Sequence, residues 1–141
     1  MEEYEIDAYL KGLIDIVQFQ SKKLSYSYIK PLCFKKNSFE KEFSKLYKIP
    51  KDKIKLKQRK TSLNRILNNW LGKNKNTNTL VKIIKKKLGD EINIYIPIKE
   101  SNLGYLLAGE GKGYSGMFFI EDLYFIEYNK YIICLLLGNN E

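Results

Sequence analysis

The stretch MFFIEDLYFIEYNKYIICLLL, residues 117–137, determines the fold class of this 141-residue chain. Two segments rich in aromatic and β-branched residues flank Asn129-Lys130, a pair of polar residues that has the length of a hairpin turn. The pattern predicts two antiparallel strands, at 117–128 and 131–137. The C-terminal part of the chain is therefore expected to form an antiparallel sheet.

The period of two residues that is typical of strands also occurs upstream of this hairpin. Four isoleucines alternate with other residues between Ile92 and Ile98, which predicts a half-buried strand at 91–98. Pro97 places this strand at a sheet edge or near a strand end, because proline has no N–H to donate. A further strand is predicted at 103–108.

The N-terminal two thirds of the chain have the apolar spacing of helices instead. Helices are predicted at 4–18, 39–48, 62–71 and 78–88. Ser38 is the expected N-cap of the second helix, and Thr61 or Ser62 that of the third. Gly72 and Gly89 are expected to end the last two helices. Trp70 lies on the apolar stripe of the third helix and is assigned to the core.

Helices followed by an antiparallel sheet define an α+β fold, and the length of the chain predicts a single domain over residues 1–141. Two segments are ambiguous. Residues 22–34 alternate like a strand until Pro31 interrupts the pattern, and residues 51–60 are predicted as a short strand or an exposed linker. A helix-turn-helix over 39–54 is a less favoured alternative, since no row of base-reading side chains follows it.

The composition limits the chemistry that this chain can perform. Histidine is absent, which excludes Ser-His-Asp and Cys-His catalytic systems and nearly all zinc sites. We therefore expect a non-enzymatic protein with no catalytic residues, cofactor or metal. Cys33 and Cys134 lie in apolar surroundings and are predicted to be reduced core thiols. No apolar run has the length of a membrane span, and a cytoplasmic protein without a membrane partner is expected.

Two further motifs are candidate sites. The segment GEGKGYSG, residues 109–116, contains a G-x-G-x-x-G pattern, but a strand and not a helix is predicted after it, so it lacks the context of a nucleotide fingerprint. It is interpreted as an inter-strand loop that can contact a partner. The acids Glu121, Asp122 and Glu127 are too far apart, or on opposite faces, for a paired-acid mechanism, and are predicted to face solvent or to pair with lysines.

The charge of the chain is strongly segregated, although the net value is +9. Residues 21–89 hold 21 basic residues against three acidic ones, whereas both ends of the chain are net negative. This basic segment is interpreted as a solvated face, as a surface for an acidic protein, or as a nucleic-acid surface. The scarcity of arginine argues against the last. The candidate partner-binding residues are Lys53, Lys55, Lys57, Arg59, Lys60, Lys82, Lys85, Lys86, Lys112 and Tyr114.

The small size, the missing catalytic groups and the ending GYSGMFFIEDLYFIEY…YIICLLLGNNE resemble the immunity proteins of bacterial contact-dependent growth inhibition systems. The resemblance implies a cytoplasmic protein that binds a cognate toxin domain tightly and covers its active site. It assigns no role to a particular residue. Inhibitors of nucleases are often acidic, so a net charge of +9 implies either an acidic toxin surface or a contact through the acidic C-terminal sheet.

Overall fold

The computed structural model describes residues 3–20, 28–73, 75–98 and 118–140. The helices are α1 (Glu3–Gln20), α2 (Phe39–Tyr47), α3 (Leu63–Leu71) and α4 (Lys75–Leu88). The strands are β1 (Tyr28–Lys35), β2 (Leu56–Gln58), β3 (Asn93–Pro97), β4 (Phe118–Glu127) and β5 (Tyr131–Asn140). Short 3-10 turns occupy Lys36–Ser38 and Lys51–Lys53. The predicted strand 103–108 and the glycine-rich segment 109–116 lie outside the described residues.

The strands form one antiparallel sheet in the order β1-β5-β4-β3-β2. The predicted α+β class is confirmed, and the Asn129-Lys130 turn joins β4 to β5 as expected. The N-terminal helices and C-terminal strands fit the predicted order, and β1 and β2 additionally lie between helices in the sequence and form the two edges of the described sheet. Their position depends on pairing with distant strands, which local periodicity does not report.

Apolar layers cover both faces of this sheet. On one face, α1, α3 and α4 pack against alternate residues of β5, namely Ile133, Leu135 and Leu137. On the other face, α2 packs against the intervening residues Cys134 and Leu136. Burial on both faces explains why β5 is a continuous apolar run and not an alternating one.

The layer beside α2 is built mainly from phenylalanines. Phe43 is fully buried, and its ring lies 5.7 Å from Phe34 and 5.5 Å from Phe125, centroid to centroid. Phe39 stands edge-on to Phe34 and Phe125. Such tilted contacts are the favourable geometry for aromatic pairs. They attach the short helix α2 to the sheet.

The ends of α3 agree with the predicted signals. The Ser62 hydroxyl accepts a hydrogen bond from the Arg65 N–H, and Gly72 adopts a φ of 83° beyond the last turn. The helix buries Trp70, which is 1% exposed, as predicted. Gly89 follows the last residue of α4 and likewise has a positive φ, of 86°.

Two predicted helix starts need correction. Ser38 makes no capping hydrogen bond through its side chain, because it belongs to a 3-10 turn and lacks the extended backbone of an N-cap. Helix α4 begins at Lys75 and not at residue 78. Its first turn includes Thr77, which is fully buried although the surrounding residues are polar. Tertiary burial therefore extends this helix into a segment with a loop-like composition.

The strands also depart from local expectation. Pro31 does not interrupt β1 but lies within it, opposite Leu135, and an edge strand tolerates the missing donor. Pro97 is the last residue of β3, which agrees with the predicted strand end. Ile92 precedes β3 and is 53% exposed, so it does not belong to the buried face with Ile94. A helix-turn-helix over 39–54 is wrong, since α2 is followed by a single 3-10 turn at Lys51–Lys53.

Cys33 and Cys134 form no disulfide and are both buried, as predicted. Cys33 belongs to the layer beside α1, and Cys134 to the layer beside α2. The sheet therefore separates the two thiols. Within the described part of the chain, no helix combines the length and the apolar character that a membrane span requires.

Candidate functional site

Five of the predicted partner-binding residues lie together along the edge strand β2 and its flanks. Lys53 ends the 3-10 turn before the strand, Lys55 and Lys57 follow, and Arg59 and Lys60 lie just beyond the strand. All five side chains are exposed, and no ion pair to them occurs among the described residues. We refer to these five residues as the cationic edge.

Among the residues that the structure describes, the backbone of β2 and its flanks is bonded to the sheet on one side only. The Arg59 N–H donates to the Ile94 carbonyl at 2.8 Å, and the Ile98 N–H donates to the Lys55 carbonyl at 2.9 Å. In an antiparallel ladder, residues alternate between bonding to the neighbouring strand and pointing away from it. Leu56 and Gln58 therefore direct their N–H and C=O groups outward, away from β3.

The lysines of α4 form a second and different surface. Lys82, Lys85 and Lys86 are exposed, as predicted. However, the Lys85 ammonium lies 3.1 Å from the Asp90 carboxylate, and both side chains are mostly exposed. Asp90 and Glu91 also line the groove of about 530 Å³ between α3 and α4 that Lys82 and Lys85 border. The charge of this surface is therefore mixed.

A polar network that the sequence did not reveal begins at Gln58, next to the cationic edge, and extends across β3 to β4. Gln58 of β2 donates to the Asn93 side chain at 2.9 Å, and Asn93 in turn donates to Glu127 Oε1 at 3.0 Å. The Tyr95 hydroxyl donates to the same oxygen at 3.3 Å. Lys36 completes the set, with its ammonium 2.5 Å from Glu127 Oε2.

This network determines the protonation of its central acid. Glu127 is largely buried, with 16% of its side chain exposed. The hydrogen bonds from Lys36 and then Asn93 lower the pKa of Glu127 below its usual value. Burial and the nearby carboxylate raise the pKa of Tyr95. Glu127 is therefore an ionised, saturated acceptor, an environment that suits a structural ion pair better than proton transfer. Its pairing with a lysine agrees with the prediction for the β4 acids.

An open cleft of about 530 Å³ adjoins this network. Phe125 and Tyr95 of the sheet line it, and Phe39 and Glu40 of α2 border it on one side. Lys55 and Leu56 belong both to the cleft lining and to the segment of the cationic edge. A partner that lies along β2 could therefore also place an apolar side chain in the cleft.

A smaller cationic cavity of about 330 Å³ surrounds the β4–β5 turn. Lys35, Lys36 and Lys130 line it, although Lys130 is almost a hundred residues from the other two in the sequence. The Lys36 N–H donates to the Lys130 carbonyl at 3.1 Å, which holds the two segments together. This cluster could not be predicted from the sequence, since only the pairing of β1 with β5 brings its members together.

The remaining predicted residues, Lys112 and Tyr114, lie outside the described residues. In the ranges that the structure describes, no three cysteine or acidic side chains are grouped so that they could share a metal ion. Comparison with known proteins adds no relative. No protein-family model matches the chain, and neither the curated proteins nor the solved structures searched gave a match.

Proposed function

We propose that this chain is a non-enzymatic interaction protein of the cytoplasm, specifically an immunity protein that binds and neutralises a cognate bacterial toxin domain. The observation that carries the proposal is the cationic edge. Five exposed cations, none of which forms an ion pair with a described residue, border a strand that no other described strand pairs with on its outer side. Such a surface favours a partner of opposite charge and accelerates its association.

The contacts of the acidic residues support an acidic partner surface over a contact through the C-terminal acids. Glu127 is paired with Lys36, and Asp90 with Lys85. Glu91 accepts a hydrogen bond from the Leu63 N–H at the start of α3. These three acids bind groups of their own chain, whereas none of the five cations of the cationic edge forms an ion pair with a described residue. The basic side of the molecule is therefore the better candidate for the toxin interface.

The test begins with the gene neighbourhood. A toxin gene directly upstream or downstream should be co-expressed with this chain, and the two products should co-purify with nanomolar affinity in calorimetry. Growth of cells that produce the toxin should be restored by this chain and not by a non-cognate immunity protein. If no toxin is encoded nearby and no nanomolar protein partner is found, the proposal is wrong.

Nucleic-acid binding is the second candidate, and the exposure of Lys82, Lys85 and Lys86 on one helix favours it. The acids in the adjoining groove oppose it, because they repel phosphates. Gel-shift titrations over a range of salt concentrations distinguish the two. Several phosphate contacts would give a steep salt dependence, and the absence of binding at about 150 mM salt would exclude this function.

A further inference from the structure

We infer that the outer side of β2 receives an extended, acidic segment of the partner protein as an added sixth strand of the described sheet. This inference rests on the proposed function, since it names the chemistry and the conformation of the part of the partner that makes contact. An added strand obtains affinity from main-chain hydrogen bonds and specificity from its alternate side chains. The structure provides observations on the main-chain groups and on the side chains that such a strand would meet.

The main-chain part of the recognition lies at Leu56 and Gln58. Their neighbours Lys55 and Arg59 bond to β3, and by alternation the N–H and C=O groups of Leu56 and Gln58 point outward. Among the described residues, no strand pairs with that side of β2. An unpaired strand edge is a template for another strand.

The charge of the cationic edge determines which kind of strand can be added beside β2. Lysines on an edge strand oppose pairing with a second copy of the same strand, because like charges directly opposite each other are destabilising. The same lysines attract an acidic strand. A nucleic acid backbone would be attracted by the charge alone, but it cannot form the alternating N–H and C=O ladder. The outward main-chain groups of β2 and the lysines around it together favour an acidic polypeptide.

The register predicts which residues of the added strand are acidic. Lys57 lies opposite Ile96, on the face of the sheet that carries Ile94, while Leu56 packs against the layer that contains Phe125. Residues of the added strand alternate in the same way. Those on the face of Lys57 and Arg59 are expected to be acidic. Those on the face of Leu56 lie on the side of the cleft, and we expect them to be apolar.

The probe for this inference is an acetylated, amidated peptide in which valine and glutamate alternate over eight residues. A valine–lysine peptide of the same length is the control. In ¹H–¹⁵N correlation spectra of the full chain, the glutamate peptide should shift the amide signals of Leu56 and Gln58, with weaker binding at higher salt. Equal shifts with the lysine peptide, or shifts confined to α4, would overturn the inference.

Two variants at one position separate the backbone from the side chain. Gln58→Pro removes the outward N–H without removing a main-chain hydrogen bond to β3, whereas Gln58→Ala keeps that N–H. Both variants lose the side-chain bond to Asn93, so they differ in the outward N–H. The proline variant should bind the glutamate peptide at least about tenfold more weakly, a loss of about 1.4 kcal/mol. The alanine variant should bind within about twofold of the wild type. Equal affinity of the two variants would contradict the inference.

Charge reversal provides a second measurement that does not depend on how proline is tolerated. Lys57→Glu with Arg59→Glu should reverse the preference, so that the lysine peptide binds more tightly than the glutamate peptide. The matched control is Lys82→Glu with Lys86→Glu on α4, which makes the same change of charge on another element and should leave the preference unchanged. If the peptide preference reversed in the α4 variant and not in the β2 variant, the inference would be overturned.

Failure of this inference can be distinguished from failure of the proposed function. If a cognate toxin is neutralised equally well by the Gln58→Pro and Gln58→Ala variants, the added strand is wrong and the immunity function stands. If no toxin is found, the immunity function fails, and the peptide measurements still decide whether β2 accepts an acidic strand. Loss of neutralisation by the proline variant alone supports both.

Discussion

Glu127 is the residue on which the polar contacts across the sheet converge, and its charge is expected to stabilise the fold. Replacing it by glutamine keeps the shape of the side chain but leaves the Lys36 ammonium without its carboxylate. Glu127→Gln should lower the free energy of unfolding by about 1–2 kcal/mol in urea titrations. Asp90→Asn is the control, because the Lys85–Asp90 pair is exposed and should change stability by less than about 0.5 kcal/mol. Equal effects would show that burial of Glu127 is unimportant.

The same carboxylate gives the stability a defined pH dependence. The pKa of Glu127 in the folded chain is lower than its usual value of 4.5, chiefly because Lys36 and Asn93 donate to it. The stabilisation is therefore fully present above about pH 4.5 and is lost as the pH falls through the folded-state pKa. Urea titrations of the wild type and Glu127→Gln should differ at pH 7, and the difference should shrink progressively as the pH falls below about 4.5. A difference that is independent of pH would exclude a charge effect.

At the scale of the element, the two serines predicted as N-caps offer a direct comparison. The Ser62 hydroxyl accepts from the Arg65 N–H at 3.2 Å, whereas Ser38 makes no capping bond. Ser62→Ala should therefore cost about 1 kcal/mol of unfolding free energy, and Ser38→Ala less than about 0.5 kcal/mol. Circular dichroism during thermal or urea unfolding measures both. An equal loss in the two variants would mean that the Ser62 bond contributes nothing.

Variants in helix α2 measure how much the packing of aromatic rings stabilises a short helix on the sheet. Phe43 is fully buried among rings, while Leu46 on the same helix is 56% exposed. Phe43→Ala should destabilise the protein by about 3–5 kcal/mol, since it removes a ring and leaves a cavity. Leu46→Ala should change the stability by less than about 0.5 kcal/mol. Urea midpoints of the two variants give the comparison, and a small effect at Phe43 would show that the layer closes around the cavity.

The contrast between α3 and β2 shows which elements the sequence could predict. The apolar stripe, the Ser62 cap and Gly72 of α3 lie within a dozen residues, so local chemistry was sufficient. Strand β2 has only three residues, and it is a strand because it pairs with β3 more than thirty residues away. Its sequence was equally compatible with a linker. Pro31 was misinterpreted for the same reason, because its tolerance depends on the edge position of β1.

Likewise, one part of the candidate site could be predicted from the sequence and another part could not. The exposed lysines of β2 and α4 could be predicted from composition and periodicity. The network from Gln58 to Glu127 could not, since its hydrogen bonds join residues 34 or 35 positions apart. The lowered pKa of Glu127 is likewise a product of tertiary contacts with Lys36 and Asn93. A sequence pattern reports side-chain chemistry, and the sheet register decides which side chains meet.

At the scale of the whole molecule, the sheet separates two apolar layers that share its strands. Because adjacent residues of β5 contribute to opposite layers, removal of either layer exposes buried groups on this interior strand. We therefore expect the two layers to unfold together and not one after the other. Cys33 and Cys134 report on this directly, since each thiol is buried in a different layer.

Thiol reactivity measures this cooperativity. Cys134→Ala leaves only Cys33 as a probe of the α1 layer, and Cys33→Ala leaves only Cys134 as a probe of the α2 layer. Under native conditions, each remaining thiol should react with Ellman's reagent at least about 10³-fold more slowly than in the unfolded chain. The protection factor is the rate of thiol reaction in the unfolded chain divided by the rate in the folded chain. After correction for the stability of each variant, the protection factors of Cys33 and Cys134 should agree within about threefold, because one cooperative opening exposes both thiols. Protection that is tenfold lower at Cys134 would instead show that α2 and its phenylalanines detach while the rest of the sheet stays folded.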